Sequence, residues 1–320
     1  MSDTAPPPND RTNDSMQRPV SGSAATPGPD GGSSKSPPFR RAMQTAWPIA
    51  VVGCAILVAW YVLAIRGNWP QAQQGMAPHA TFWQTVQASM SLDNPWVPPP
   101  HQVVQDLWYG LVESASGPHV TWVHVGTTAE EAGLGLLAGT LLGILIATLF
   151  VHAPLAEISF MPYVVASQTV PILALAPILI NLVGINLKAK VIVTTYLVFF
   201  AVAVSAVKGL KSASPLAHEL MRSYAANTWQ VYWKLRFPAA LPYIFTGLKI
   251  SSTAALVGAM VAELIGSEYG LGALLVAGNT FGRDLLLWST MLAGSILGLG
   301  SYLLLTLVER AVVRARPRLA

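Results

Sequence analysis

The sequence predicts an all-α integral membrane protein with six transmembrane helices, and three observations carry that prediction. Hydrophobic residues make up 52% of the 320 and charged residues only 11%, with a mean hydropathy of +0.48, well to the apolar side of a water-soluble domain. Uncharged stretches long enough to cross a bilayer recur along the chain. Lys and Arg flank those stretches as orientation signals do, which argues against a nucleic-acid surface despite the net charge of +4.

The first charge-free run is Trp47–Ile65; at about 1.5 Å per residue it approaches the roughly 30 Å thickness of the hydrocarbon layer. A long polar stretch precedes it and no small-residue cleavage site follows, so it is expected to stay as an anchor rather than leave as a signal peptide. Further uncharged runs are Ala132–Val151, Ile158–Leu187, Val191–Val207 and Leu285–Val308, while Tyr243–Leu264 carries Lys249 near one end and Glu263 at the other. Fourteen of the nineteen basic residues fall on one side of this six-span topology: Arg11, Arg18, Lys35, Arg40 and Arg41 before the first span, Lys208 to Arg236 after the fourth, and Arg310 to Arg318 at the end. The other side keeps Arg66, Lys188, Lys190 and Arg283. Basic flanks stay inside, so both termini are expected in the cytoplasm.

The regions divide accordingly. Residues 1–46 read as a disordered cytoplasmic tail rich in Pro, Ser and Gly, too polar to offset the entropy of ordering. Residues 47–66 form the first transmembrane helix, and 67–130 an extracytoplasmic segment with interfacial helices, one of them from Pro100 to Ser114. Residues 131–308 form the transmembrane core with a cytoplasmic loop at 208–242, and 309–320 a basic cytoplasmic tail. Gly135, Gly139 and Gly143 recur every fourth residue, as do Gly294 and Gly298, a spacing that lets helix backbones approach closely in lipid. The third span carries Pro162, Pro171 and Pro177; each removes a helical hydrogen bond, so the span is expected to be broken where protein or a water-filled pathway covers it. Gln168, Thr169, Pro171, Pro177 and Asn181 are candidates for lining that pathway, or their polar members bond a neighbouring helix.

Single charges weigh heavily in lipid. Lys249 is expected to snorkel to the cytoplasmic interface. Glu263 either shapes an outer gate or caps the turn at Gly266, and Glu130 and Glu131 read as interface charges. Cys54 rules out an internal disulfide and is expected to pack. His101, His119, His124 and His152 lack metal-binding spacing, no Ser/His/Asp set suggests catalysis, and no phosphate-binding Gly-x-x-x-x-Gly-Lys-Ser/Thr loop occurs.

The loop Lys208–Pro242 is longer than a connection requires. Ser214-Pro215 supplies an N-cap and first-turn proline for a helix to about Tyr224. Asn227-Thr228-Trp229-Gln230 has the arrangement of a capping box for a second helix, expected to end near Pro238. Trp229, Tyr232 and Trp233 are too many aromatics for a solvated helix, so a partner or the membrane interface is expected to cover part of this surface.

The run Glu-Leu-Met-Arg-Ser-Tyr-Ala-Ala-Asn-Thr-Trp-Gln from Glu219, with Phe237-Pro238-Ala239-Ala240-Leu241-Pro242 behind it, resembles the EAA loop of ABC importer permeases. So do Gln168-Thr169-Val170-Pro171 through Pro177 upstream, and Ala262-Glu263-Leu264-Ile265-Gly266-Ser267 with Gly270-Leu271-Gly272 downstream. Over roughly residues 94–308 the chain is similar to the nitrate, sulfonate and taurine branch of the binding-protein-dependent permeases. It departs where the family loop usually has glycine and this chain has Ala225; alanine tolerates positive φ poorly, so either the turn is differently shaped or the motif is degenerate.

The resemblance implies a type I ABC importer permease-like fold and a transport subunit that is no enzyme and binds no cofactor, with ATP and Mg on a separate ABC ATPase dimer. It also implies a second permease copy as a homodimer partner and an extracytoplasmic solute-binding protein. Transport of nitrate, a sulfonate or taurine, or a thiamine-precursor pyrimidine would proceed by alternating access. Glu219, Arg222, Ala225, Ala226, Asn227, Trp229, Trp233, Pro238 and Pro242 would form the ATPase-coupling loop. The alternative is an ion-coupled secondary transporter, which needs ionisable residues buried in its helices.

Overall fold

The computed structural model describes residues 38–74, 81–113 and 119–314, with side chains over 47–313 of that range. Residues 1–37 of the expected tail and 315–320 of the basic end lie outside the described residues. The chain divides into two compact units, Met1–Gly53 and Cys54–Ala320. Within the first, the described part is helical from Pro38 onward.

All described regular structure is helical. The helices are α1 (Pro38–Gln74), α2 (Phe82–Met90), α3 (Pro100–Val112), α4 (Trp122–His152), α5 (Pro154–Ala166), α6 (Ile172–Val183), α7 (Leu187–Leu210), α8 (Pro215–Ser223), α9 (Thr228–Val231), α10 (Phe237–Glu263), α11 (Leu271–Thr280) and α12 (Asp284–Arg314). Five stretches are long and apolar enough to cross a membrane: Trp47–Gln74, Trp122–His152, Leu187–Leu210, Thr228–Glu263 and Asp284–Val313. The pair α5 and α6 makes a sixth, bent by 99°. Cys54, expected to pack, is exposed on α1; an apolar run in lipid needs no protein cover.

The core is built around α7, which packs along its length against α4 on one side and α10 on the other. Lipid tails are as apolar as leucine, so helices there associate by van der Waals packing, which rewards close backbone approach. Gly135, Gly139 and Gly143 of α4 meet Thr194, Val198 and Val202 of α7 turn by turn, so these two helices run parallel. A Cβ built on Gly139 would stand 2.6 Å from Val198 Cβ, and one on Gly143 2.8 Å from the Phe199 carbonyl. On the other side α10 runs antiparallel to α7, with Gly247 against Ser205 and Gly258 against Thr194. Gly294 and Gly298 of α12 meet Met260 and Leu256 at ordinary contact distance.

Two ion pairs mark the two ends of this bundle. Lys211 at the end of α7 holds Glu157 at the start of α5 at 2.6 Å, and Lys190 at the start of α7 holds Glu131 of α4 at 2.6 Å. The bent pair passes from one end to the other. Ala156, Met161 and Val164 of α5 pack on the cluster of Phe150, Leu210 and Tyr232, while Ala176 and Ile180 of α6 pack with Ala189, Val193 and Ala262. Of the three prolines only Pro171 breaks the chain; Pro162 and Pro177 stay inside α5 and α6. Val170 before Pro171 is extended, with ψ 119°, as the ring of a following proline demands.

The segment between α1 and α4 is pinned by asparagines. Asn68, fully buried on α1, accepts from the Val97 amide at 2.9 Å and donates to the Val97 and Ser89 carbonyls. Asn94 donates to the Gly282 carbonyl at 2.7 Å and accepts from the Asp284 amide, the first of α12. The expected helix from Pro100 is α3, packed on α12.

The Gly139→Ala variant is expected to lower the stability of the purified protein by roughly 1–3 kcal/mol, the range for overpacking, because its methyl must displace Val198. Gly133→Ala on the same helix meets nothing within 4 Å and is expected to keep or raise stability, by up to about 1 kcal/mol. Thermal unfolding of both variants in the same detergent checks the pair; equal melting would break the close-approach argument.

Candidate coupling loop and pathway

The loop after α7 begins as the sequence indicates. Ser214 Oγ accepts from the Ala217 amide at 3.3 Å, Pro215 occupies the first turn, and α8 follows. Glu219 and Arg222 are exposed on it, and neither joins an ion pair among the described residues. Leu216, Leu220 and Tyr224 repeat at four-residue spacing and are 75%, 57% and 77% exposed, an apolar stripe with no cover among the described residues.

At the end of α8 the Ala226 amide bonds the Met221 carbonyl at 3.0 Å and the Ala225 amide bonds that of Arg222 at 2.8 Å. This pair of bonds defines a Schellman turn, whose central residue must be left-handed. Ala225 has φ +49°, the one positive value at a non-glycine among the described residues. The turn therefore keeps the shape a glycine would give it, and the alanine bears a cost on the order of 1 kcal/mol.

Asn227 then caps α9 reciprocally with Gln230, with Asn227 Oδ1 accepting from the Gln230 amide at 2.8 Å and Gln230 Oε1 from the Asn227 amide at 3.0 Å. The expected end near Pro238 is corrected. Tyr232–Arg236 forms one π-helical turn, in which the Phe237 amide reaches the Tyr232 carbonyl, and the path continues into α10. Pro238 sits in the first turn of α10, where a missing N–H costs little, so it passes the helix on instead of stopping it. Pro242 lies inside α10.

Tyr232 also departs from expectation. It is 3% exposed, and its hydroxyl lies 2.7 Å from Thr148 Oγ1 of α4, with the His152 ring 5.2 Å away. It anchors the loop, while Trp229 and Trp233 stay on the surface at 59% and 49% exposure. Sequence spacing groups all three aromatics together because nothing local distinguishes the inward one.

Gln168, Thr169 and Pro171 lie together and exposed at the bend between α5 and α6, and Asn181 is exposed further along α6, with Pro177 half-buried between them. Tyr196, missed in the sequence, donates from α7 to the Ser167 carbonyl and ties the bend down; a tyrosine inside the apolar run Val191–Val207 was its only signal.

Glu263 is not with them. It is fully buried among α4, α10 and α11, where Oε1 accepts from Thr128 Oγ1 at 2.7 Å and Oε2 from the Gly272 amide at 2.6 Å. Thr128 Oγ1 accepts in turn from the Leu271 amide at 2.8 Å, and His124 Nδ1 accepts from the Gly270 amide at 3.1 Å. Three amides at the start of α11, which no helix can satisfy internally, are thus capped by side chains of its neighbours. Glu263 therefore caps α11 rather than the turn at Gly266, and Gly270, at φ +118°, leaves no room for a side chain beside it.

Two further charges are corrected. Glu131 is 2% exposed inside α4, which begins ten residues before the expected span, and pairs with Lys190 instead of facing the interface. Lys249 does not snorkel freely: its Nζ lies 2.7 Å from Glu309 of α12. Among the described residues no group of His, Cys, Asp or Glu could hold a metal ion.

Residues 139–317 match the family of binding-protein-dependent transport system inner membrane components. The chain belongs to that family. It is 30% identical over 232 residues to a probable ABC transporter permease protein of Haemophilus influenzae, covering 72% of this chain and 82% of the relative. It is 37% identical over 151 residues to the formylaminopyrimidine transport permease protein ThiX of Halalkalibacterium halodurans, covering 47% and 60%. With the taurine transport system permease protein TauC of Escherichia coli it shares 29% over 229 residues, 68% and 81% of the two chains. The protein is a multi-pass ABC permease, a transport subunit rather than an enzyme.

Ala225→Gly is expected to relieve the strained turn and slow amide exchange at the end of α8, by up to about fivefold for roughly 1 kcal/mol; faster exchange would contradict the strain. Thr128→Val leaves the Leu271 amide without its acceptor and Glu263 Oε1 without its donor, and is expected to cost about 1–3 kcal/mol in thermal unfolding.

Proposed function

We propose that this chain is the membrane-spanning half of an ATP-driven importer, two copies of which move a small solute by alternating access. The observation that carries the reading is the loop at 208–242: a capped, turn-locked α8 with an exposed apolar stripe and the exposed charges Glu219 and Arg222, rooted in the core through Tyr232. Such a surface suits a groove on a separate ATPase subunit. Glu219 and Arg222 make the charged contacts there, Trp229, Trp233 and the α8 stripe supply apolar area, and Ala225, Ala226 and Asn227 hold the geometry. ATP and Mg reside on that partner, and a solute-binding protein delivers to the opposite mouth.

In this reading residues 1–46, the loop and the basic end 309–320 face the cytoplasm of a bacterial inner membrane, as the distribution of Lys and Arg supports, and 67–130 faces outward. The pathway runs along the bend, past Gln168, Thr169, Pro171 and Asn181, with Pro177 shaping α6 and Glu263 fixing the outer end of the helices. The solute is of the kind that the relatives' names give, taurine or another sulfonate, a pyrimidine such as formylaminopyrimidine, or nitrate, as for the import permease NrtB of Leptolyngbya laminosa.

Ion coupling has one observation in its favour, the buried Glu131 and Glu263 with the part-buried Lys190, on three adjacent helices. Uptake that follows ATP and ignores collapse of the proton gradient separates the two mechanisms.

Charge reversal at Glu219, Glu219→Lys, is expected to abolish most solute uptake and stimulated ATP hydrolysis while the protein remains in the membrane at normal abundance. Uptake at the wild-type rate removes Glu219 from the coupling role. Purification in mild detergent is expected to bring a stoichiometric ATPase with the chain; a lone, ATP-inert protein would sink the proposal.

A further inference from the structure

One groove in Cys54–Ala320 takes no part in the loop or the pathway. It lies between the last turns of α1 and the first turns of α2, holds about 760 Å³, and is lined by Val62, Ile65, Arg66 and Trp69 on one side and Phe82 and Trp83 on the other. The α1 residues fall at helical spacing on one face, so the groove runs along that helix. The rings of Trp69 and Phe82 lie 5.4 Å apart and those of Phe82 and Trp83 5.5 Å apart, yet Phe82 and Trp83 remain 60% and 73% exposed.

Arg66 gives the groove its character. It is the only Lys or Arg between Arg41 and Lys188, it is exposed, and it joins none of the ion pairs among the described residues. It immediately follows the charge-free run Trp47–Ile65, whose nineteen residues use up the roughly 30 Å of hydrocarbon at about 1.5 Å each. The guanidinium therefore stands at the depth of lipid phosphates, with Val62 and Ile65 at the top of the acyl chains and three aromatic rings at the level where Trp concentrates.

We propose that this groove seats an anionic phospholipid, its phosphate on the Arg66 guanidinium and the upper part of one acyl chain along Val62, Ile65 and Phe82. A planar guanidinium presents paired N–H donors that match phosphate oxygens, and Arg66 is the one Lys or Arg among the residues lining the groove, so this contact sets the preference for negative charge. A lipid is favoured over a protein partner because the exposed rings sit where the apolar span ends, and lipid covers that depth continuously.

The test uses the full chain in nanodiscs of equal phosphatidylglycerol and phosphatidylcholine, with native mass spectrometry of the lipid that stays bound on release. The wild type is expected to retain phosphatidylglycerol in preference to phosphatidylcholine. Arg66→Gln is expected to reduce that retention about fivefold, the effect of one basic residue at a membrane surface, whereas Arg283→Gln, elsewhere on the same end of the bundle, leaves it unchanged. Trp83→Ala, which keeps every charge and so guards against failed insertion of the arginine variant, is expected to weaken retention as well. Equal retention of the two lipids by the wild type, or equal losses in Arg66→Gln and Arg283→Gln, would overturn the proposal. Undiminished retention in both Arg66→Gln and Trp83→Ala would overturn it too, and leave the groove to a protein partner.

Discussion

The position of α7 rests on backbone contact. It lies between α4 and α10 because glycines on both neighbours present bare backbone to it, Gly135, Gly139 and Gly143 from one side and Gly247 and Gly258 from the other. In water the burial of leucines would hold such helices together with side chains between them. In lipid that drive is missing, and the dispersion gained by packing backbone on side chain at short range takes its place. The other elements are arranged on this three-helix slab: α6 against the first half of α7, α5 against the ends of α4 and α7 nearest the loop, α12 against α10, and the loop through Tyr232 against α4.

Close approach also fixes where charge can go. Once α4, α7 and α10 touch, any carboxylate on their facing sides loses water and must find a partner within the protein. Glu131 finds Lys190, and Glu263 finds Thr128 and the start of α11. Lys249, further toward the loop, finds Glu309. None of these partnerships was legible in the sequence, where Glu131 and Lys249 both read as interface groups. Their partners are 59 and 60 residues away along the chain, and local periodicity carries no information about contacts at that separation. The glycine row was legible because its signal is a spacing within one helix, and the same is true of the capping box at Asn227.

Proline divides the same way. Pro171, Pro162 and Pro177 look alike in the sequence, and so do Pro238 and Pro242. Their effects follow from which backbone groups their neighbours can still satisfy. Pro171 follows a residue forced into the extended region, and there the helix breaks and bends by 99°. Pro238 falls in the first turn of α10 behind a π turn that has already shifted the hydrogen-bond register, so its missing donor leaves no gap. A sequence reading that counts each proline as a stop finds the first and misplaces the second, and the loop helix then seems to end where it in fact joins the membrane span.

That junction has a mechanical consequence for the proposed coupling. From Thr228 to Glu263 the chain is helical without a gap over 36 residues, beginning on the exposed loop and ending at the carboxylate that caps α11. The π turn and Pro242 weaken this path locally, yet it is unbroken, so in the proposed mechanism displacement of α9 by a partner would be carried along α10 toward Glu263 and the helices it joins. The exposed bend at Ser167–Pro171 is the opposite kind of element, two short helices joined by an extended residue and tied to α7 by Tyr196. In that proposal, motion carried along α10 would be absorbed at the bend bearing Gln168 and Thr169, where the helix is interrupted.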